Sequence, residues 1–301
     1  MEDTYDVVVI GGGPAGLAAA LWLARYRLRV RLFDSADPRN RWTGAVHGYL
    51  GLEEVEPAEL RRVGREQAIH AGAEIEAACV EEVRGEIDDF EVSVGEDRSV
   101  RCRRVLFATG LRDIRPEIPG LDDFYGNGIW HCADCDGPSV TGQRIGVIGW
   151  GRQIAAFCMQ MLTWTDRITL FTHGRDAELP ARSREALDRF DIRVVTQPIE
   201  RIEGDERPER IVLQEGETEE VEAVFFHIAC GPGSSMPAAL GCEANEEGIL
   251  QVDRDYETTV PGIYAAGDIT RGSRLAIHAA AGGTRAAIGI YRSLLPAERR
   301  V

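Results

Sequence analysis

The sequence predicts an α/β protein built from two similar three-layer halves, the second inserted into the first. Three observations carry that expectation. A strand, a glycine turn, a helix and a second strand follow one another at the start of the chain. The same succession recurs from Arg144 to Phe171. The stretch from Gly262 to Leu295 then supplies one more strand and one more helix, which suit a return to the first half. Domain boundaries are expected at 1–112 plus 244–301 for the first half and 113–243 for the insert.

In chain order, Tyr5 to Ile10 reads YDVVVI, a short buried strand, and Leu17 to Tyr26 an Ala/Leu-rich helix. Val30 to Phe33 is a second strand, ending at Asp34. Glu56 to Ala71 is amphipathic with Pro57 in its first turn, which predicts a helix. Glu74 to Val100 alternates polar and apolar residues and is expected to form antiparallel strands. Arg104 to Ala108 is a buried strand, and Ile114 to Gly120, with two prolines and a glycine, a linker. After the second strand–turn–helix–strand unit, Glu219 to Ile228 reads as a strand, as do Ile249 to Val252 and Gly262 to Ala265. Leu275 to Leu295 is the last helix.

A net charge of -16 argues against nucleic acid and against an anionic membrane surface as partners. The acidic, signal-free start and the lack of any apolar run near the roughly 18 residues of a membrane span lead to a cytoplasmic expectation. Of the seven cysteines only Cys132 and Cys135 have CxxC spacing. In a reducing compartment such a pair is catalytic or metal-binding rather than structural. No further ligands lie close enough in sequence for zinc, so no metal is expected. Cys158 reads as core, while Cys230 and Cys242 flank a Gly/Pro/Ser loop where a second redox pair is conceivable. His131 is either a surface residue or a group that tunes the neighbouring thiols.

Gly11, Gly13 and Gly16 occupy G-x-G-x-x-G between strand and helix, with Pro14 and Ala15 inside the turn. The first lets the chain turn, the second admits phosphate to the backbone, and the third lets helix and strand pack closely. A pyrophosphate then sits at the helix N-terminus. Asp34, 23 residues after Gly11, stands where an acid bonds ribose hydroxyls. The halves are therefore two Rossmann-like, ββα-type three-layer nucleotide-binding domains. The strand ending Ala265-Ala266-Gly267-Asp268 resembles a flavoprotein pattern in which the acid reaches the ribityl-phosphate region. The helix after it, opening at Leu275-Ala276, can aim its N-terminus at the flavin pyrimidine. FAD is accordingly the expected cofactor.

Cys132-Ala133-Asp134-Cys135-Asp136-Gly137 precedes the second nucleotide unit. Together with the order of the two folds, the strand end Ala108-Thr109-Gly110 and the AAGD segment, it resembles the low-molecular-weight thioredoxin reductases, class II pyridine nucleotide-disulfide oxidoreductases. The resemblance spans nearly the whole chain. It implies that Thr109 and Gly110 line the FAD site, that Cys135 faces the flavin, that Cys132 attacks the external disulfide, and that Asp136 is the acid that protonates the departing thiolate. It also implies a homodimer and a thioredoxin-like protein or small disulfide as substrate.

The second nucleotide site departs from that family. Gly149-Trp150-Gly151-Arg152-Gln153-Ile154 has isoleucine where Gly or Ala is expected, and a large ring in the turn. His173 is followed by Gly174, Arg175 and Asp176 instead of an arginine pair for the 2′-phosphate. Phe171 and Thr172 stand where an NADH enzyme has an acid, and Arg274-Leu275 where the family has Arg-Gln. Arg152 and Arg175 could still hold a phosphate, so NADPH binding stays open, and Trp150 could instead stack a second FAD. His47-Gly48-Tyr49-Leu50-Gly51 and Leu170 to Gly174 resemble a side branch that includes flavin-dependent dithiol oxidases without a working pyridine nucleotide site. Those oxidases carry histidine after the CxxC, whereas Asp136 is the reductase-like residue. The leading expectation is a flavin disulfide oxidoreductase supplied by ferredoxin or another flavin. An oxygen-dependent dithiol oxidase, a conventional NADPH thioredoxin reductase and a non-enzymatic flavin redox sensor are the alternatives.

Overall fold

The computed structural model describes residues 4–95, 98–175 and 179–299. The chain opens with β1 (Tyr5–Ile10), α1 (Pro14–Arg25), β2 (Val30–Asp34), α2 (Pro57–Ala71), β3 (Glu74–Ala77), β4 (Val80–Glu86), β5 (Asp89–Val94) and β6 (Arg98–Phe107). It continues through β7 (Leu111–Ile114), β8 (Ile129–Trp130), α3 (Ala133–Asp136), β9 (Ile145–Gly149), α4 (Ile154–Met161), β10 (Ile168–Phe171), α5 (Ala181–Arg189) and β11 (Arg193–Val195). Then follow β12 (Ile199–Gly204), β13 (Pro208–Leu213), β14 (Thr218–Glu220), β15 (Ala223–His227), β16 (Ala229–Pro232), α6 (Met236–Ala239), β17 (Ile263–Ala265) and α7 (Ala276–Leu294).

Two compact units result: residues 1–41, 48–112 and 230–301 form the first, and 42–47 with 113–229 the second. The return to the first unit falls at Ala229/Cys230, ahead of the 243/244 position expected from sequence. The segment 230–243 includes α6, whose first residue Met236 and C-cap Leu240 pack on the apolar cluster of the first unit, and this draws the boundary forward. Trp42–His47 belongs to the second unit, where the Trp42 ring meets Tyr125 at 6.1 Å.

In the first unit the sheet runs β3-β2-β1-β6-β5-β4. Its long strand β6 has two sets of partners on one edge. Arg98 to Cys102 pair with β5 antiparallel, whereas Val105 to Phe107 pair with β17 in parallel. β1, β2, β3 and the C-terminal half of β6 therefore make the parallel layer, and β4-β5 fold off as a meander. Glu74–Ala77 alternates in sequence but pairs with β2 in parallel, so it is not part of the antiparallel set that sequence suggested. One core, built on Val7, Val9, Leu32 and Leu106, lies under α1 and α7. The other, on Val8, Phe33, Phe90 and Phe107, lies under the meander. Alternate residues of β1 thus feed opposite cores, as a strand buried on both faces must.

The second unit repeats the plan. β11-β10-β9-β15-β8 form a parallel sheet and β12-β13-β14 an antiparallel meander. The stretch Glu219 to Ile228, read as one strand from sequence, is two: Glu219 pairs in the meander and Ala223–His227 in the parallel sheet. No helix among the described residues is long and apolar enough to cross a membrane.

Candidate active site

The first glycine turn is built by exclusion. A Cβ on Gly16 would lie 1.9 Å from the Gly11 carbonyl oxygen, so only glycine lets α1 sit this close to β1. Gly12 is equally constrained, since its Cβ would fall 2.3 Å from the Asp34 carboxylate. Gly13 faces open space and is the extended N-cap of α1, with Pro14 at the first helical position. No side chain caps this end. The first intrahelical bond is Leu17 N–H to the Gly13 carbonyl at 3.0 Å, which leaves the Ala15 and Gly16 N–H groups for an anion.

Asp34 is buried at the end of β2. Its carboxylate accepts the Ala36 N–H at 3.0 Å and pairs with Arg61 at 2.8 Å and Arg65 at 3.3 Å. Both arginines come from α2 and were not picked out from sequence. Their signal is one turn of helix, residues 61 and 65, facing the strand that carries the acid. Arg39 likewise pairs with Asp268 at 3.0 Å. The residues beside the turn therefore hold carboxylates already matched by guanidinium groups. Thr109 adds a buried hydroxyl with no hydrogen-bond partner, and Gly110 and Gly267 are both in the left-handed region. Leu275 is the N-cap of α7 and Ala276 its first residue, again with no side-chain cap. An uncapped helix start, an open glycine and an orphaned buried hydroxyl together fit a dinucleotide such as FAD.

The redox pair lies in the second unit. Cys132 and Cys135 form a disulfide with Cα atoms 5.3 Å apart. Cys132 is the N-cap of α3, and its Sγ accepts the Cys135 N–H at 3.1 Å. That bond favours negative charge on this sulfur. Asp136 follows directly and is only 8% exposed. Burial pushes its carboxyl up to about 6, while His47, carried by the 42–47 segment, pulls it down. The two sulfurs and an Asp136 oxygen lie within 4.8 Å of one another, a separation that a single bridging water spans for proton transfer between thiol and carboxyl. This is the sole grouping of metal-type ligands among the described residues, and its sulfurs are bonded to each other. Neither Cys230 nor Cys242 is disulfide-bonded, and the Cys242 Sγ instead contacts the Thr258 hydroxyl at 3.4 Å. Cys158 is fully buried, with its thiol pushed up to about 12.

The second glycine turn is filled from below. Ile154 is fully buried, and its Cδ1 would lie 2.4 Å from a Cβ on Gly149. The isoleucine thus occupies the room that the glycine of β9 leaves, and α4 opens only at Ile154 itself. Arg175, one of the two cations left for a phosphate, lies over the Trp150 ring at 4.3 Å. Arg152 is exposed and Gly151 is left-handed. His173 accepts the Ile199 N–H at 3.0 Å and Gly174 is left-handed against Pro198. This tight turn explains glycine where an arginine was anticipated. Burial and the neighbouring Arg175 hold His173 below its ordinary range. Asp176 lies outside the described residues.

The profile of the family described as "Pyridine nucleotide-disulphide oxidoreductase" matches residues 5–283. The thioredoxin reductase of Treponema pallidum (strain Nichols) is 30% identical over 93% of this chain and 97% of its own. Among solved structures, HlmI superposes with a TM-score of 0.92 at 34% identity, covering 98% of this chain and 94% of that one. The oxidoreductase from Agrobacterium tumefaciens gives 0.89 at 29%, covering 97% and 99%. Fold, cysteine pair and glycine turn agree with these likenesses. The chain belongs to the pyridine nucleotide-disulphide oxidoreductase family and, within it, to the thioredoxin reductase-like, flavin-dependent thiol–disulfide oxidoreductases.

Proposed function

We propose that this protein moves electrons between FAD and the Cys132–Cys135 pair, and that its flavin is supplied by ferredoxin or another flavin rather than by NADPH. Its acceptor is a thioredoxin-like protein or a small disulfide, and it works as a cytoplasmic homodimer. One observation carries the donor assignment. The buried Ile154 side chain fills the space beneath Gly149 where the family needs a small residue, so a pyrophosphate loses its close approach to the helix start. The stacking of Arg175 on Trp150 supports the same reading.

FAD, when bound, supplies reversible two-electron exchange with a dithiol. The groups that would hold it are Gly11, Gly13, Pro14, Ala15, Gly16, Asp34, Thr109, Gly110, Gly267, Asp268, Leu275 and Ala276. In the reduced pair the Cys132 thiolate attacks the external disulfide. One S–S bond breaks, a mixed disulfide forms, and the departing sulfur takes the Asp136 proton. The Asp136 carboxylate then receives the Cys135 proton, and Cys135 displaces the second substrate sulfur. The Cys132–Cys135 bond re-forms, as in this structure.

Turnover tests the reading. Reduction of oxidised thioredoxin should proceed with chemically reduced ferredoxin as donor and stay at background with NADPH. NADPH-driven turnover at the ferredoxin-driven rate would overturn the donor assignment. Oxygen uptake with small dithiols, in the absence of any disulfide reduction, would mark a dithiol oxidase instead.

A further inference from the structure

We propose that His131 is a positioning residue for Cys132: an imidazolium, assembled by Asp113 and Tyr125, that holds the neighbouring sulfur as a thiolate. This rests on the reading of Cys132 as the thiol that meets the external disulfide.

The arrangement lies wholly within the second unit. Tyr125 is buried, and its hydroxyl donates to the Asp113 Oδ2 at 3.1 Å. The same hydroxyl lies 3.0 Å from the His131 Nδ1. A hydroxyl has one proton. With that proton given to the carboxylate, the tyrosine oxygen can only accept from the ring, so Nδ1 carries a hydrogen. The other ring nitrogen, Nε2, is 3.7 Å from the same Asp113 oxygen, at ion-pair distance, with the carboxylate side chain only 10% exposed. A negative charge there favours a proton on Nε2 as well. Both nitrogens protonated is the imidazolium.

Packing fixes the ring in place. His131 meets Phe226 at 5.9 Å and Tyr125 at 6.1 Å between centroids. Arg115 lies over the Tyr125 ring at 5.1 Å and pairs with Asp122 at 2.9 Å. One hydrogen-bonding partner, one carboxylate at ion-pair distance and two aromatic neighbours are more than a surface histidine needs. The next residue in the chain is Cys132, whose Sγ already accepts the Cys135 N–H. A cation one residue away adds to that bond and lowers the pKa of the thiol. The other charged groups around the pair, Asp134 and Asp136 in the first turn of α3 and His47 beside Asp136, are untouched in the variants below.

The test is thiol alkylation of the reduced, FAD-loaded protein by iodoacetamide across pH, with each cysteine followed by peptide mass spectrometry. Wild-type Cys132 should show a midpoint below that of an ordinary thiol. In His131→Gln the midpoint should rise by about one pH unit, and alkylation below it should slow about tenfold. Asp113→Asn and Tyr125→Phe should move it the same way by less, and His131→Lys should restore the low midpoint because it restores the charge. Wild-type reactivity in His131→Gln, or failure of the lysine to rescue, would overturn the proposal. If His131→Gln does not fold, Asp113→Asn and Tyr125→Phe decide it alone. A wild-type Cys132 no more reactive than the buried Cys158 would instead sink the parent reading of the pair.

Discussion

A Gly16→Val protein is expected to emerge without flavin. The added Cβ would stand 1.9 Å from a backbone oxygen of Gly11, 3.0 Å from its carbonyl carbon and 3.3 Å from the Ala108 Cβ. The first two are backbone atoms that no rotamer change can move, so α1 must shift off β1. That shift displaces the Ala15 and Gly16 N–H groups and the Gly13 turn together. It also opens the core shared by Leu17, Ala19, Leu23 and Val9, where overpacking costs about 1–3 kcal/mol or more. Flavin released per chain, counted from absorbance after denaturation, should fall from stoichiometric to near zero, with a lowered Tm. The matching change at the second turn, Gly151→Ala, meets no atom within 4 Å and should leave the flavin count unchanged, although its left-handed φ of +83° makes the backbone less comfortable. Full flavin loading in Gly16→Val would show that the first turn does not hold the cofactor.

Asp136→Asn is expected to separate chemistry from stability. With its carboxyl raised to about 6 by burial, Asp136 is partly protonated at neutral pH and can donate to a leaving thiolate. Asparagine cannot. Reduction of the external disulfide should slow by about 10²–10⁴-fold, the usual contribution of a positioned acid. Wild-type turnover of the disulfide step should decline as pH rises through about 6, and the variant should lose that limb. The stability change has the opposite sign. Burial holds the folded carboxyl up at about 6 against an ordinary 3.8 in the unfolded chain, so between these the native state binds the extra proton. Stability therefore falls as pH rises across that window and stays lower above it. The penalty in the wild type at pH 8 is about 3 kcal/mol, from about two pH units at 1.36 kcal/mol each. Asp136→Asn should accordingly unfold at a higher temperature than wild type at pH 8, with the gap closing toward pH 4. A variant less stable than wild type at pH 8 would show that the carboxylate makes a bond the burial argument omits.

Both nucleotide units were legible because local pattern and tertiary role coincide there. YDVVVI, the glycine turn and the Ala/Leu helix each point to one structure, and the structure places β1, Gly13 and α1 accordingly. The CxxC was legible by spacing alone. What escaped sequence reading depends on contacts distant along the chain. Nothing local marks Arg61 and Arg65 as partners of Asp34, because the pairing exists only once α2 crosses the end of β2. Trp42–His47 reads as a loop of the first half, yet its ring packing with Tyr125 places it in the second unit. The parallel pairing of Glu74–Ala77 is likewise invisible to alternation, which reports one face from another but not strand direction. His131 was ambiguous for the same reason: its partners Asp113 and Tyr125 lie upstream on separate segments, and only the fold joins them.

The central claim is that electrons reach the flavin by a route other than NADPH. The most direct measurement mixes the purified holoprotein anaerobically with NADPH, then with NADH, and follows bleaching of the flavin band, with flavin counted per chain in the same sample. The account predicts no bleaching by either nucleotide, full bleaching by dithionite or reduced ferredoxin, and a thiol pair that opens only afterwards. A flavin count of two would favour a second FAD in the inserted unit, for which the Trp150 turn is the candidate site. Rapid bleaching at micromolar NADPH would contradict the account and show that Ile154, Trp150 and Gly174 are compatible with a working NADPH site.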